Sequence, residues 1–186
     1  MSLLGKNRKD GTIPWWSYLI FFPFHVPTRL YTAVHTEHGK HKKNSVPVAT
    51  EVQPGWWVGG CYSHELAVDW AAVVDLTVEF PETSVSKAYL SLPTWDGVPA
   101  TPSQLEEAAA FAVKHSANGH VLVHCAHGRG RSTTVMCACL VKAGLYYDWE
   151  EAFAKGIKPK RPVCKLNRRM KQNLAAWQAL FVHKAQ

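Results

Sequence analysis

Residues 124–133 read His-Cys-Ala-His-Gly-Arg-Gly-Arg-Ser-Thr, which sets a thiol, Cys125, six positions before a guanidinium, Arg131, and seven before a hydroxyl, Ser132. The apolar run 121–123 precedes this stretch, and residues 132–141 read as a helix after it. A strand that ends in a glycine-bearing loop and turns into a helix aims backbone N–H groups at one point. Such a nest, reinforced by the positive end of the helix dipole, is a general anion site. The same dipoles stabilise a thiolate, so a cysteine at the base of the nest has a lowered pKa. Arg131 can hold two phosphate oxygens in a bidentate fork, which a lysine cannot. A buried structural cysteine beside a chance histidine is the bland alternative. It leaves the joint spacing of four chemically coherent residues unexplained.

The stretch resembles the HCxxGxxR[S/T] loop of the cysteine-based protein tyrosine phosphatase superfamily, with a match at every fixed position. The resemblance implies a phosphocysteine mechanism. Cys125 would attack phosphorus, and Arg131 would hold the equatorial oxygens through the transition state. Ser132 would donate a hydrogen bond to the sulfur and ease its departure when water cleaves the intermediate. His124 would fix the loop and help keep the thiol ionised. Ala126, His127, Gly128, Arg129 and Gly130 would form the phosphate-binding loop, with Gly128 and Gly130 allowing conformations and close approach that side chains obstruct. No metal or other cofactor is implied. Such an enzyme also needs an acid on a loop that reaches the mouth of the site. Residues 90–99, Leu-Ser-Leu-Pro-Thr-Trp-Asp-Gly-Val-Pro, run from a short strand into a Pro/Gly-bounded loop. Its one aspartate, Asp96, lies 29 residues before Cys125, and the dual-specificity branch carries its acid at a comparable distance upstream. An ordinary turn aspartate before glycine is the alternative for Asp96.

The elements that must position these groups alternate along the chain. Residues 56–60 read as a first strand, 71–78 as a buried strand with one aspartate inside it, and 88–92 as a strand leading into the Asp96 loop. Thr101-Pro102-Ser103-Gln104 opens a helix with a capping box and a proline at its first position. Leu105, Ala108, Ala109, Ala112 and Val113 give that helix its apolar stripe, and Asn118-Gly119 ends it. The strand 121–123 and the helix after the loop follow, with Gly144 as a stop. Asp148 caps a short helix ending near Gly156, and Met170, Leu174, Trp177 and Phe181 mark a final amphipathic helix. The pattern predicts an α/β fold, a central and mostly parallel sheet flanked by helices in three layers, with the loop at a strand's carboxyl end. The resemblance covers roughly residues 50–180 and adds Trp57-Val58-Gly59-Gly60, Arg161-Pro162 and Asn167 as weaker similarities. The expected division is an aromatic and basic arm with linker over 1–47 and a dual-specificity-like catalytic domain over 48–186.

The position of the loop, two-thirds along 186 residues, separates the chain from low-molecular-weight tyrosine phosphatases, which carry it near the N-terminus. Large tyrosine-specific domains need more length, and rhodanese-like domains lack the acid loop. A compact dual-specificity-like phosphatase is the resulting expectation, acting on phosphotyrosine, phosphoserine and phosphothreonine. The alternatives are a phospholipid phosphatase, for phosphatidylglycerophosphate or phosphoinositides, and an idle phosphate-binding adaptor.

Formal net charge is +7, and beyond residue 151 there are nine Lys/Arg and no acid. A basic field favours phosphorylated substrates and anionic surfaces. Nucleic acid is disfavoured as a partner, because no aromatic platform interleaves the basic residues. Within the loop Arg129 is basic, but Ala126 is not, a half-match to lipid phosphatases of the superfamily. Residues 13–27 are apolar, aromatic and broken by three prolines, too short and interrupted for a spanning helix. Two readings stand: an extra arm packed on the domain, or a peripheral contact with a membrane interface. Residues 35–47, with His35, His38 and His41, read as a solvated polar linker in preference to a metal site. Five cysteines, Cys61, Cys125, Cys137, Cys139 and Cys164, form an odd and unpatterned set, with Cys137 and Cys139 expected in the core. A thiolate nucleophile requires a reducing compartment, so the expected location is the cytoplasm or a cytoplasm-facing membrane surface.

Overall fold

Eight consecutive residues, Trp70–Thr77, are buried without exception, and this strand, β3, is where the fold is organised. The structure is a computed structural model that describes residues 3–40 and 45–182. Strands β1 (Ala49–Gln53), β2 (Trp56–Gly59), β3, β4 (Tyr89–Thr94) and β5 (His120–His124) form one sheet in the order β1-β2-β5-β3-β4. Only the β1–β2 pair is antiparallel. The apolar residues of β3 and β5 alternate between two clusters, as the two-residue repeat of a strand requires. Ala72, Val74, Leu76, Val121 and Val123 face the main core, and Val73 and Leu122 face a smaller one with Ala49 and Trp70.

The main core is closed by α3 (Pro102–Ser116), α4 (Arg131–Lys142) and α6 (Arg168–Phe181). The capping box at Thr101 is present: Gln104 N donates to Thr101 Oγ1 at 3.3 Å, and Thr101 N donates to Gln104 Oε1 at 2.9 Å. Helix α4 is buried from Arg131 to Val141, including Cys137 and Cys139. Asp148 Oδ1 accepts from Glu151 N at 2.7 Å and starts α5 (Trp149–Glu151), which widens into a π-helical turn over Ala152–Ile157. Asn167 Oδ1 accepts from Met170 N at 2.9 Å and caps α6. Met170, Leu174 and Trp177 of α6 are buried, while Phe181 at its end is exposed.

Two elements differ from the sequence reading. Residues 56–60 contain the second strand; β1 precedes it, folded back through Gly55 at φ 80°. Its sequence, Ala-Thr-Glu-Val-Gln, is half polar because only Ala49 and Val52 are buried. The N-terminal stretch forms α1 (Trp15–Ile20) and α2 (Phe22–Lys40). The linker expected from residue 35 therefore begins no earlier than residue 41, and His41, Lys42 and Lys43 lie outside the described residues. The prolines do not prevent these helices. Pro23 stands in the first turn, where its missing N–H costs nothing, and Pro27 forfeits one bond early in a 19-residue helix.

Candidate active site

Strand β5 ends at His124 and delivers Cys125 beneath the N-terminus of α4. The loop between them is held from outside by its carbonyls. Ala126 O accepts from Cys61 N at 3.1 Å, and Arg129 O accepts from Lys165 N at 2.8 Å. Gly128 O accepts from Arg161 Nε at 2.8 Å, while Arg161 Nη1 reaches Pro47 O and Thr50 Oγ1. With the carbonyls engaged by the scaffold, N–H groups are left for the interior, and those of Arg129 and Ser132 donate toward the Cys125 sulfur. Gly128 has φ +63°, and a Cβ there would lie 2.5 Å from the Gly59 carbonyl carbon, so loop and strand β2 pack backbone on backbone. Gly130 has an ordinary negative φ, and a Cβ on it would meet only the movable Met170 methyl at 3.1 Å.

Cys125 is 3% exposed. Burial pushes its pKa up, but the Arg131 charge and the hydrogen bonds from Ser132 and Arg129 outweigh burial and leave it below the usual thiol range. Ser132 Oγ lies 3.4 Å from Sγ. Arg131 is itself buried and oriented. Nη2 donates to Glu79 Oε1 at 2.6 Å and Nη1 donates to the Thr94 carbonyl at 2.6 Å. Burial opposes its charge, yet Cys125 and Glu79 raise its pKa further. Nε makes no hydrogen bond among the described residues, and the Asp96 carboxylate lies 3.6 Å from it. Asp96 is 85% exposed, on the loop after β4. The structure thus brings Cys125, Arg131 and Ser132 together, with Asp96 beside Arg131, and Asp96, Ala126 and His127 line a cleft at this end of the sheet.

Behind the loop lies a buried charge network that the sequence reading did not identify. His124 Nε2 is 2.6 Å from Glu82 Oε2 and 3.7 Å from Asp75 Oδ1. Asp75 also accepts from Tyr89 OH at 2.8 Å and pairs with the ammonium of Lys6, whose Nζ donates to Thr77 O and Oγ1. Burial lowers the His124 pKa, but Glu82 and Asp75 outweigh it and raise it to about 9. Burial raises that of Glu82, and His124 overrides it, to about 2. Two cations and two carboxylates therefore balance. Asp75, Glu82 and His124 are also the one group among the described residues with ligand atoms close enough for a metal. Here the Lys6 ammonium supplies the compensating charge at that place. This network anchors the side chain of His124, the residue before Cys125. Glu79 and Glu82 were legible only as acids clustered just past a buried strand, and Lys6 carried no signal.

Helix α2 walls the cleft. Phe24 meets Trp95 edge-on at 5.7 Å, and His127 contacts Tyr31 at 5.9 Å and His35 at 5.0 Å. Burial, with His35 and Arg129 nearby, holds His127 below the usual imidazole range. His35 and His38 thus sit on a helix, one of them against the loop, and do not form a metal-ligating group with other described residues.

Residues 63–179 match the model of the family described as dual specificity phosphatase, catalytic domain. No curated protein matches the chain by sequence. Among solved structures, human DUSP28 aligns at TM-score 0.62 and 24% identity, over 72% of this chain and 95% of that one. A mouse putative dual specificity phosphatase complexed with zinc tungstate aligns at 0.66 and 23%, over 77% and 94%. PTPMT1 in complex with PI(5)P aligns at 0.62 and 20%, over 75% and 100%.

Two outcomes are expected from the network. Removing one partner of a buried pair strands the other, so Lys6→Met should lower stability by about 3 kcal/mol, read from urea unfolding. The His124 pKa is raised from 6.5 to about 9 and that of Glu82 lowered from 4.5 to about 2. Their stabilisation is therefore full between pH 4.5 and 6.5, lost as pH rises through about 9, and lost again as it falls toward about 2. Glu82→Gln, which leaves only Asp75 facing His124, should shrink the alkaline fall in unfolding free energy; a fall of unchanged size would refute the assignment.

Proposed function

The chain belongs to the dual specificity phosphatase family and is a cysteine-dependent phosphatase, and we propose that it hydrolyses phosphomonoesters through a phosphocysteine on Cys125. The observation that carries this is the buried Cys125 sulfur, held below the usual thiol range by Arg131 and Ser132 at the N-terminus of α4.

In the first step the Cys125 thiolate attacks phosphorus, an S–P bond forms, and the bond from phosphorus to the leaving oxygen breaks. Asp96 gives its proton to that oxygen, releasing an alcohol or phenol. Arg131, its far side fixed by Glu79 and Thr94, grips the equatorial oxygens through its Nε edge, and the loop N–H groups share the charge. In the second step water attacks phosphorus, its proton passes to Asp96, and the S–P bond breaks. Ser132 donates to the departing sulfur, so that phosphate and thiolate are released.

Phosphotyrosine, phosphoserine and phosphothreonine in proteins are the substrates that go with this branch. A phospholipid phosphomonoester is a second reading, with peripheral membrane contact through residues 13–27. It is supported by the apolar outer face of α2 beside the cleft, and by the PI(5)P bound to PTPMT1, a protein of the same fold. The idle-adaptor reading is disfavoured, because nucleophile, arginine, hydroxyl and acid all converge. Five free cysteines among the described residues suit a reducing compartment.

Cys125→Ser should lower turnover of an aryl phosphate by at least about 10³-fold while phosphate-ester binding persists. Equal turnover by the two proteins would remove the thiolate from the mechanism. Asp96→Asn should slow alkyl phosphates by roughly 10²-fold or more and aryl phosphates with good leaving groups far less. Uniform slowing across leaving groups would take Asp96 out of the acid role.

A further inference from the structure

We infer that helices α1 and α2 dock the protein on an anionic lipid bilayer, lying in its interface with the catalytic cleft at the headgroup surface. A surface helix of a soluble domain turns its apolar residues inward. These two helices do the reverse. The residues they bury are Ser17, His25, Thr32 and Gly39, and Ser17 Oγ lies 3.1 Å from His25 Nε2. Outward, α1 presents Trp15, Leu19 and Ile20, at 74%, 70% and 65% exposure. Helix α2 presents Phe22, Val26, Leu30 and Val34, spaced by four so that they form one stripe. Among the described residues, nine of the seventeen exposed large apolar side chains fall on these two helices. Scattered singly they would need no explanation; concentrated on two consecutive helices they mark an interaction surface.

Depth, aromatic content and charge select a bilayer as the occupant. No helix of the described residues is long and apolar enough to cross a membrane, and α2 carries Arg29, Glu37 and Lys40. Such a helix lies in the interface with its apolar face in the acyl boundary. Trp15, Trp16, Tyr18 and Tyr31 are the side chains that settle at headgroup depth. Arg29 sits 4.8 Å over the Tyr18 ring and donates to its hydroxyl at 3.0 Å, pairing a cation with the aromatic edge. Arg8 and Lys9, both exposed, precede α1. Against them stand Asp10 and Glu37, and the whole chain is at +7, so anionic headgroups complement the face. The inner edge of α2 meets the cleft, through Phe24 on Trp95 and Tyr31 on His127. Docking therefore sets Asp96 and the phosphate loop at the membrane surface. The consequence for catalysis rests on the phosphatase reading: phosphomonoesters carried at a bilayer are the favoured substrates.

The test is co-sedimentation of the full chain with phosphatidylcholine vesicles, with and without phosphatidylserine, alongside turnover of a soluble aryl phosphate. Wild type should bind the phosphatidylserine vesicles. The double variant Leu19→Asp/Leu30→Asp should lose that binding by roughly tenfold or more, with aryl phosphate turnover unchanged because neither side chain lines the cleft. Arg8→Glu/Lys9→Glu, which leaves the apolar face intact, should weaken binding to the anionic vesicles alone. Absence of binding to either vesicle, or equal binding by the double variant, overturns the inference. So does a stable dimer that the same two substitutions make monomeric, since the face would then be covered by a second copy. Vesicle binding without aryl phosphate turnover would sustain the docking and refute the proposed chemistry instead.

Discussion

A thiol 3% exposed to solvent has its pKa lowered only where fixed charges and dipoles replace the water that its ionised form has lost. That requirement organises this protein. The Arg131 guanidinium is the nearest full charge, and a guanidinium free to rotate would not serve. It is clamped by Glu79 and by the Thr94 and Leu76 carbonyls, which come from the ends of neighbouring strands. The loop N–H groups converge because the loop carbonyls are taken by Cys61 N, Lys165 N and the Arg161 side chain. These contacts come from the ends of β3 and β4 and from loops around residues 61, 79 and 161–165, so it is the sheet and helices holding those loops that make the sulfur's environment rigid.

The same logic extends one layer back. His124 precedes Cys125, and burial alone would disfavour its charged form. Glu82 and Asp75 keep it charged, and Lys6 keeps the carboxylates from being in excess. A residue near the N-terminus thus balances charge directly behind the phosphate loop. Helix α2 walls the cleft, so Lys6 and α2 both pack against the phosphatase fold, although the family match begins only at residue 63. What the N-terminal helices leave outward is apolar, which is costly in water and favourable in an interface.

Most of the candidate site was legible. Cys125, Arg131 and Ser132 are bound to one another by short sequence spacing, and any strand–loop–helix geometry that satisfies that spacing brings them together. Asp96 was legible by its loop. Capping at Thr101 and Asn167 was legible because it is decided within one helical turn. Strand β1 was not, since a half-polar edge strand has no periodic signal of its own. The histidines of residues 35–40 looked like a linker because composition cannot show that their helix continues from an apolar one.

Local order in the sequence therefore determined the reaction: the thiol, the arginine six residues on, and the loop that turns into a helix. Only the tertiary structure decided what holds those groups in place. Glu79, Glu82, Asp75, Lys6 and Arg161 act across 33 to 71 or more residues of chain, and electrostatic compensation depends on distance in space, which residue spacing does not encode. The direction of the N-terminal apolar face was likewise settled by packing. An amphipathic pattern states that one face differs from the other, and the fold alone decides which of them meets the solvent.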